Sequence, residues 1–120
     1  MSELPKEFLD MILVQIKSNS QACNLDEIPQ GYGEFGLEIT NPVPVYGIPS
    51  NKTYLESLRT LDGNMLNYRR NGNVSTSNIE SPIDEYEIYN KSGDVIAVLY
   101  ISPYHWKTSE KVPKGFKMVN

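Results

Sequence analysis

The sequence holds one cysteine, one histidine and one tryptophan in 120 residues. A single cysteine excludes an internal disulfide and any multi-cysteine zinc site, and a single histidine excludes a multi-histidine metal centre or relay. Basic surplus is missing too: 11 Lys+Arg stand against 15 Asp+Glu, a formal net charge of −4. Dedicated nucleic-acid binders usually carry the opposite excess. The longest apolar run, Val95–Ile101, falls far short of the roughly 20 residues that a membrane helix needs. Near the N-terminus, Met11-Ile12-Leu13-Val14 follows Glu3, Glu7 and Asp10 and has no small-residue cleavage site after it, so it does not read as a secretion signal. Together these absences lead us to expect a cytoplasmic protein with a reduced thiol, no membrane contact, no nucleic-acid partner, no metal and no cofactor. Without a secretion signal, the Asn-X-Ser/Thr triplets at Asn51, Asn73 and Asn90 read as incidental.

A chain of this length suits one domain with a real core, residues 1–120, and is too short for a barrel enzyme or a full dinucleotide-binding fold. Phe8, Leu9, Ile12 and Ile16 recur at helical spacing over Pro5–Lys17, with Glu3 and Glu7 at the end where a helix favours acids and Lys17 where it favours bases. From Asn19 to Ser50 the chain is broken by Gly31, Gly33, Gly36, Gly47, Pro29, Pro42, Pro44 and Pro49. Leu37–Thr40 could make a short strand there, and Asn41–Ser50 an edge segment or an extended loop packed on the body. Asp62-Gly63 predicts a tight turn between strands Tyr54–Leu61 and Met65–Arg70, with a helix over Asn51–Leu61 as the competing reading. Asn71–Ser81 reads as a polar loop. Ile83–Tyr89 alternates and Val95–Ile101 is continuously apolar, which predicts a hairpin whose second strand is central and covered on both faces. After Pro103, Tyr104–Asn120 reads as a basic tail. The expected fold is α+β: an N-terminal amphipathic helix packed on an antiparallel sheet of four or five strands.

Chemistry-bearing patterns are few. Gly31-Tyr32-Gly33-Glu34-Phe35-Gly36 matches the dinucleotide fingerprint in letters, but no strand precedes it and no helix can open from it, so no helix N-terminus faces a phosphate. His105 leaves the end of the apolar strand, where it could act as a general base with Tyr104, Glu85 or Arg69, or close an aromatic cluster with Tyr100, Tyr104 and Trp106. Arg69 and Arg70 could hold an anion. Glu80, Asp84, Glu85 and Glu87 read as a solvated strand face and Cys23 as a small apolar residue. Charge is segregated: residues 1–40 carry a net −5 and the stretch from Tyr104 a net +3. The acidic third, with Asp26, Glu27 and Glu34, could steer a basic protein partner.

Asn41-Pro42-Val43-Pro44-Val45-Tyr46-Gly47, Tyr54-Leu55, Leu58, Asp84-Glu85-Tyr86-Glu87, Leu99-Tyr100, Tyr104-His105, Ser109, Pro113 and Gly115-Phe116 together resemble a family of small uncharacterised bacterial proteins. The resemblance spans residues 41–116 and implies a bacterial, cytoplasmic origin. Small acidic domains of this kind are similar in character to immunity proteins of toxin systems. The expected function is therefore an interaction protein, an immunity factor that neutralises a basic toxin domain, with Asp26, Glu27, Glu34, Arg69, Arg70, Tyr104, His105 and Trp106 as binding residues. The alternative is a small metal-independent hydrolase or nuclease using His105, Tyr104 and Glu85, with Arg69 as anion clamp. A third reading is a homo-oligomer that completes its sheet, one edge being blunted by Pro42 and Pro44.

Overall fold

A computed structural model describes residues 5–119; Glu3, expected in the first helical turn, and Asn120 lie outside them. The helical spacing near the N-terminus produces α1, Lys6–Lys17, with Ile12 and Ile16 buried. The Ser18 hydroxyl donates to the Val14 carbonyl at 2.8 Å and closes its end. Helix α1 seats on the chain through a glycine. Gly47 has φ +80°, and a Cβ there would stand 2.8 Å from Ile12 Cγ2.

The main sheet joins β1 (Val43–Pro44), β3 (Asn67–Thr76), β4 (Ile79–Tyr89) and β5 (Val95–Ser102) in the order β1-β5-β4-β3. β3, β4 and β5 are antiparallel, as expected, whereas β1 runs parallel to β5, so the sheet is mixed. Pro42 and Pro44 are buried, not exposed at a free edge. Pro44 has no N–H to offer, and its carbonyl is taken by the Ser109 N–H at 2.9 Å, so the C-terminal segment closes this side. The opposite edge is β3, blunted by Arg69, Arg70 and a register shift between Arg70 and Gly72.

Several local expectations are corrected. Residues 49–57 form a helix, α2 (Pro49–Ser57), and only Leu58–Thr60 (β2) is strand. Pro49 pre-sets the first helical turn, and burial of Tyr54 and Leu55 on one side supplies the stabilisation. The Asp62-Gly63 turn does form, with Gly63 N–H to the Thr60 carbonyl at 2.9 Å, but it supports only the Arg59–Met65 bridge. The real partner of β2 is β6, Phe116–Met118, from the stretch expected to be a tail. Asn71–Ser81 is not a loop: β3 runs on to Thr76, turns at Ser77–Asn78 and returns as β4. Its alternation was hidden because polar Asn71, Asn73 and Ser75 are outward and Gly72, Val74 and Thr76 half-buried. Leu37–Thr40 is turn instead of strand; the Leu37 and Glu38 N–H groups both reach the Glu34 carbonyl. Strand β5 is central by position but covered only in its second half, since Val95 and Ile96 are exposed while Leu99 and Ile101 are fully buried.

The principal core lies between one sheet face and α2, where Tyr86, Ile88, Leu99 and Ile101 meet Val45, Tyr54, Leu55 and Leu58. A smaller cluster of Ile28, Ile79 and Ile83 covers part of the other face beneath the loop residues Cys23 and Ile39. Among the described residues no helix is long and apolar enough to cross a membrane.

Candidate functional site

His105 sits in a tight connection after β5 and is 1% exposed. Its Nδ1 accepts the backbone N–H of Cys23 at 3.1 Å, which fixes the other nitrogen as the protonated one. Nε2–H therefore donates to Ser102 Oγ, 2.9 Å away and itself fully buried. With both nitrogens engaged and water excluded, burial pulls the imidazole pKa down to about 4. His105 makes no hydrogen bond to Tyr104, Glu85 or Arg69 among the described residues. Arg69 instead pairs with Glu87 at 2.8 Å across β3–β4, and Glu85 accepts from Asn71. Tyr104 gives its backbone carbonyl to Asn19 Nδ2 at 2.8 Å, and burial raises its hydroxyl pKa. Trp106 is partly exposed, and its backbone N–H binds the Cys23 carbonyl. The four residues of the hydrolase reading thus stand in separate contacts. What His105 does in this geometry is tie segment 19–25 to segment 102–106. Cys23 itself is half-buried against the Ile28–Ile79–Ile83 cluster.

A second polar group centres on Asp84, which was expected on a solvated strand face with Glu80, Glu85 and Glu87 but is buried, on the same face as Tyr86 and Ile88. Its carboxylate is 3% exposed and accepts from Asn51 Nδ2 at 2.7 Å, Arg70 at 2.8 Å and Asn73 Nδ2 at 3.1 Å. A buried carboxylate needs this many donors. Arg70 is therefore spent on Asp84 and does not stand free as an anion clamp. Asn51 also reaches Tyr86 Oη at 3.2 Å, and its Oδ1 has no partner among the described residues. Asn51 and Asn73 were invisible as site residues in the sequence, where only their glycosylation triplets stood out. Here Asn51 is buried, Asn73 serves Asp84, and Asn90 Oδ1 caps the β4–β5 turn by accepting from Ser92 and Asp94.

The third group is the Gly31–Gly36 loop. Gly33 has φ +94°, and a Cβ there would meet the Glu38 carboxylate at 2.6 Å. Glu38 Oε2 accepts the Glu34 N–H at 2.6 Å, so the anion that this glycine-rich turn cradles is the chain's own carboxylate. Around it lies a hollow lined by Glu27, Glu34, Phe35, Glu38, Lys111 and Val112. Asp26 and Glu27, expected as partner-steering acids, are engaged internally. Asp26 accepts the Glu110 N–H at 2.9 Å and pairs with Lys107 at 3.1 Å, which lowers its pKa. Glu27 pairs with Lys111 at 2.5 Å and accepts from Asn41 at 3.2 Å, with the same result. Lys111 also lies 5.3 Å from the Phe35 ring centroid. Glu34 and Glu38 form no ion pair among the described residues. Both are exposed, and Tyr32 beside them is 61% exposed.

In comparison with known proteins, no family model, no curated protein and no solved structure matches this chain.

Proposed function

We propose that the protein is a non-catalytic binding protein whose partner is a basic protein domain, in the manner of an immunity factor that neutralises a basic toxin. The observation that carries this reading is the hollow beside the glycine-rich loop. Among the described residues its carboxylates Glu34 and Glu38 form no ion pair, Phe35 and Val112 give it an apolar lining, and Tyr32 stands beside it. An arginine or lysine of a partner fits that chemistry, its stem on the apolar lining and its cationic head on the carboxylates. Asp26 and Glu27 contribute by holding Lys107 and Lys111 back; among the described residues Lys114 is the cation of the lining that forms no ion pair. The hydrolase or nuclease alternative finds less support, since it needs a free nitrogen on His105 and both are engaged.

The test is affinity capture from the source cells with the wild-type chain and with Glu34→Lys, a surface change that spares the internal ties. A single basic partner retained by the wild type and lost by the variant supports the reading. Equal retention, or a partner that is acidic, overturns it.

A further inference from the structure

An asparagine followed by glycine is the step of a polypeptide most open to self-modification, because glycine leaves the next backbone nitrogen unshielded and the backbone free to bend. This chain has one such step, Asn71-Gly72. It lies on β3, an outer strand of the main sheet. There Arg70 pairs with Tyr86 and Gly72 with Glu85, so Asn71 between them faces no residue of β4. An extra residue of this kind makes a bulge, where the ladder is locally broken. Asn71 is exposed, and its side chain makes one hydrogen bond among the described residues, from Nδ2 to Glu85 Oε2 at 3.3 Å. Gly72 has φ +131°, and a Cβ there would meet nothing within 4 Å. The side chain and the following nitrogen therefore have room to approach each other.

Other steps lack this combination. Asn24, Asn67 and Asn73 are exposed, but the bulky Leu25, Tyr68 and Val74 follow them. Asp62-Gly63 has the right neighbour, yet its Gly63 N–H is held by the Thr60 carbonyl at 2.9 Å. We propose that Asn71 is a self-modification site of the folded protein, converted to aspartate and isoaspartate. The Gly72 nitrogen attacks Asn71 Cγ. The N–Cγ bond forms, the Cγ–Nδ2 bond breaks, and Nδ2 leaves as ammonia with the proton that Gly72 gives up. Water then opens the cyclic imide at either carbonyl. One opening gives aspartate, and the other gives isoaspartate, in which the main chain runs through the former side chain. Either product adds one negative charge and puts a carboxylate where a donor to Glu85 stood. The bulge has no ladder partner to lose at this position, so the chain stays folded as product accumulates. The site shares no residue with the acidic hollow, and its test is independent of the binding reading.

The test holds the purified chain for several weeks at mildly alkaline pH and body temperature, beside a synthetic peptide of residues 67–76. Mass spectrometry with fragmentation locates each gain of about 1 Da, and methylation by an isoaspartate-specific methyltransferase reports the isoaspartate. Asn71 should react before every other asparagine of the chain, at a rate within about tenfold of the peptide's, because opening an edge bulge costs little. Circular dichroism should show the converted chain still folded. Asn71→Gln should remove the early mass gain and the methylation together. A chain whose Asn71 reacts more than about tenfold slower than the peptide overturns the proposal, since the fold then protects the step. So does another asparagine that reacts first, methylation that persists in Asn71→Gln, or a converted chain that has unfolded.

Discussion

Acid should unfold this protein through His105 before its carboxylates are reached. In the folded chain the imidazole is neutral with a pKa of about 4, whereas an unfolded histidine titrates near 6.5. Between those values the unfolded state binds the extra proton, so stability rises with pH across this window. The contribution is complete above pH ~6.5 and is lost as pH falls toward ~4. Protonation at Nδ1 would turn that atom from the acceptor of the Cys23 N–H into a second donor facing it. At 1.36 kcal/mol per pKa unit, going from pH ~7.5 to ~4.5 removes roughly 2 to 3 kcal/mol. That is a large share of the stability of an ordinary domain. Asp26 and Glu27, whose pKa values are held below their ordinary ones by Glu110 N–H and Lys111 respectively, lose their contributions at lower pH and leave this window to the histidine. Urea unfolding at several pH values in this range, followed by circular dichroism, measures the slope. His105→Asn keeps an acceptor for Cys23 N–H and removes the titrating group, so it should be less stable at neutral pH and nearly flat below it. A wild type with equal stability at both ends of the window, or an Asn variant with the wild-type slope, would refute the argument.

Asp84→Ala should cost about 2 kcal/mol in urea unfolding. It strands the buried Asn51 amide, whereas the half-exposed Arg70 can turn to water. Gly33→Ala should lose about 1–2 kcal/mol and shift the Glu38 carboxylate, because the added Cβ meets both a positive φ and Glu38 Oε2. Leu99→Ala, at a fully buried position on the central strand, should cost 2–5 kcal/mol by the usual range for such cavities and lower the thermal midpoint accordingly.

The parts of the fold that showed in the sequence are those where apolar periodicity is strong and local. Helix α1, the Ile83–Tyr89 alternation and the turn Asn90–Asp94 belong to this class. Strand β3 lacks an apolar signal because both of its faces carry polar residues: the exposed Arg70 and Asn73 are held by the buried Asp84, a partner fixed only by the register with β4. β6 escaped because Phe116-Lys117-Met118 gains its stability from β2, more than fifty residues away in sequence, and no local signal carries that pairing. For α2 the sequence carries two signals, a helical spacing and the nearby Asp62-Gly63 that favours a strand hairpin. The Tyr54–Leu55 burial that decides for helix depends on the sheet it packs against. His105 was legible as a residue worth notice but not in its role, since Cys23 lies far from it in the chain.

Charge segregation along the chain has a different meaning in space. The acidic N-terminal third and the basic C-terminal stretch face each other, and Lys107–Asp26 and Lys111–Glu27 pair across the contact. Hydrogen bonds from Ser109 Oγ and the Glu110 N–H to Asp26 run along the same seam. Exposed pairs of this kind contribute little individually, but they repeat where the Ser109 N–H also closes β1, so their effect is to choose where the C-terminal segment lies. Once that choice is made, the acids available to a partner are no longer the ones that dominate the sequence. Asp26 and Glu27 are consumed, and Glu34 and Glu38, brought together by the positive φ of Gly33, remain. In the proposed reading, a net charge of −4 steers a basic partner from a distance, and the carboxylates that the fold leaves unpaired set the place where it would land.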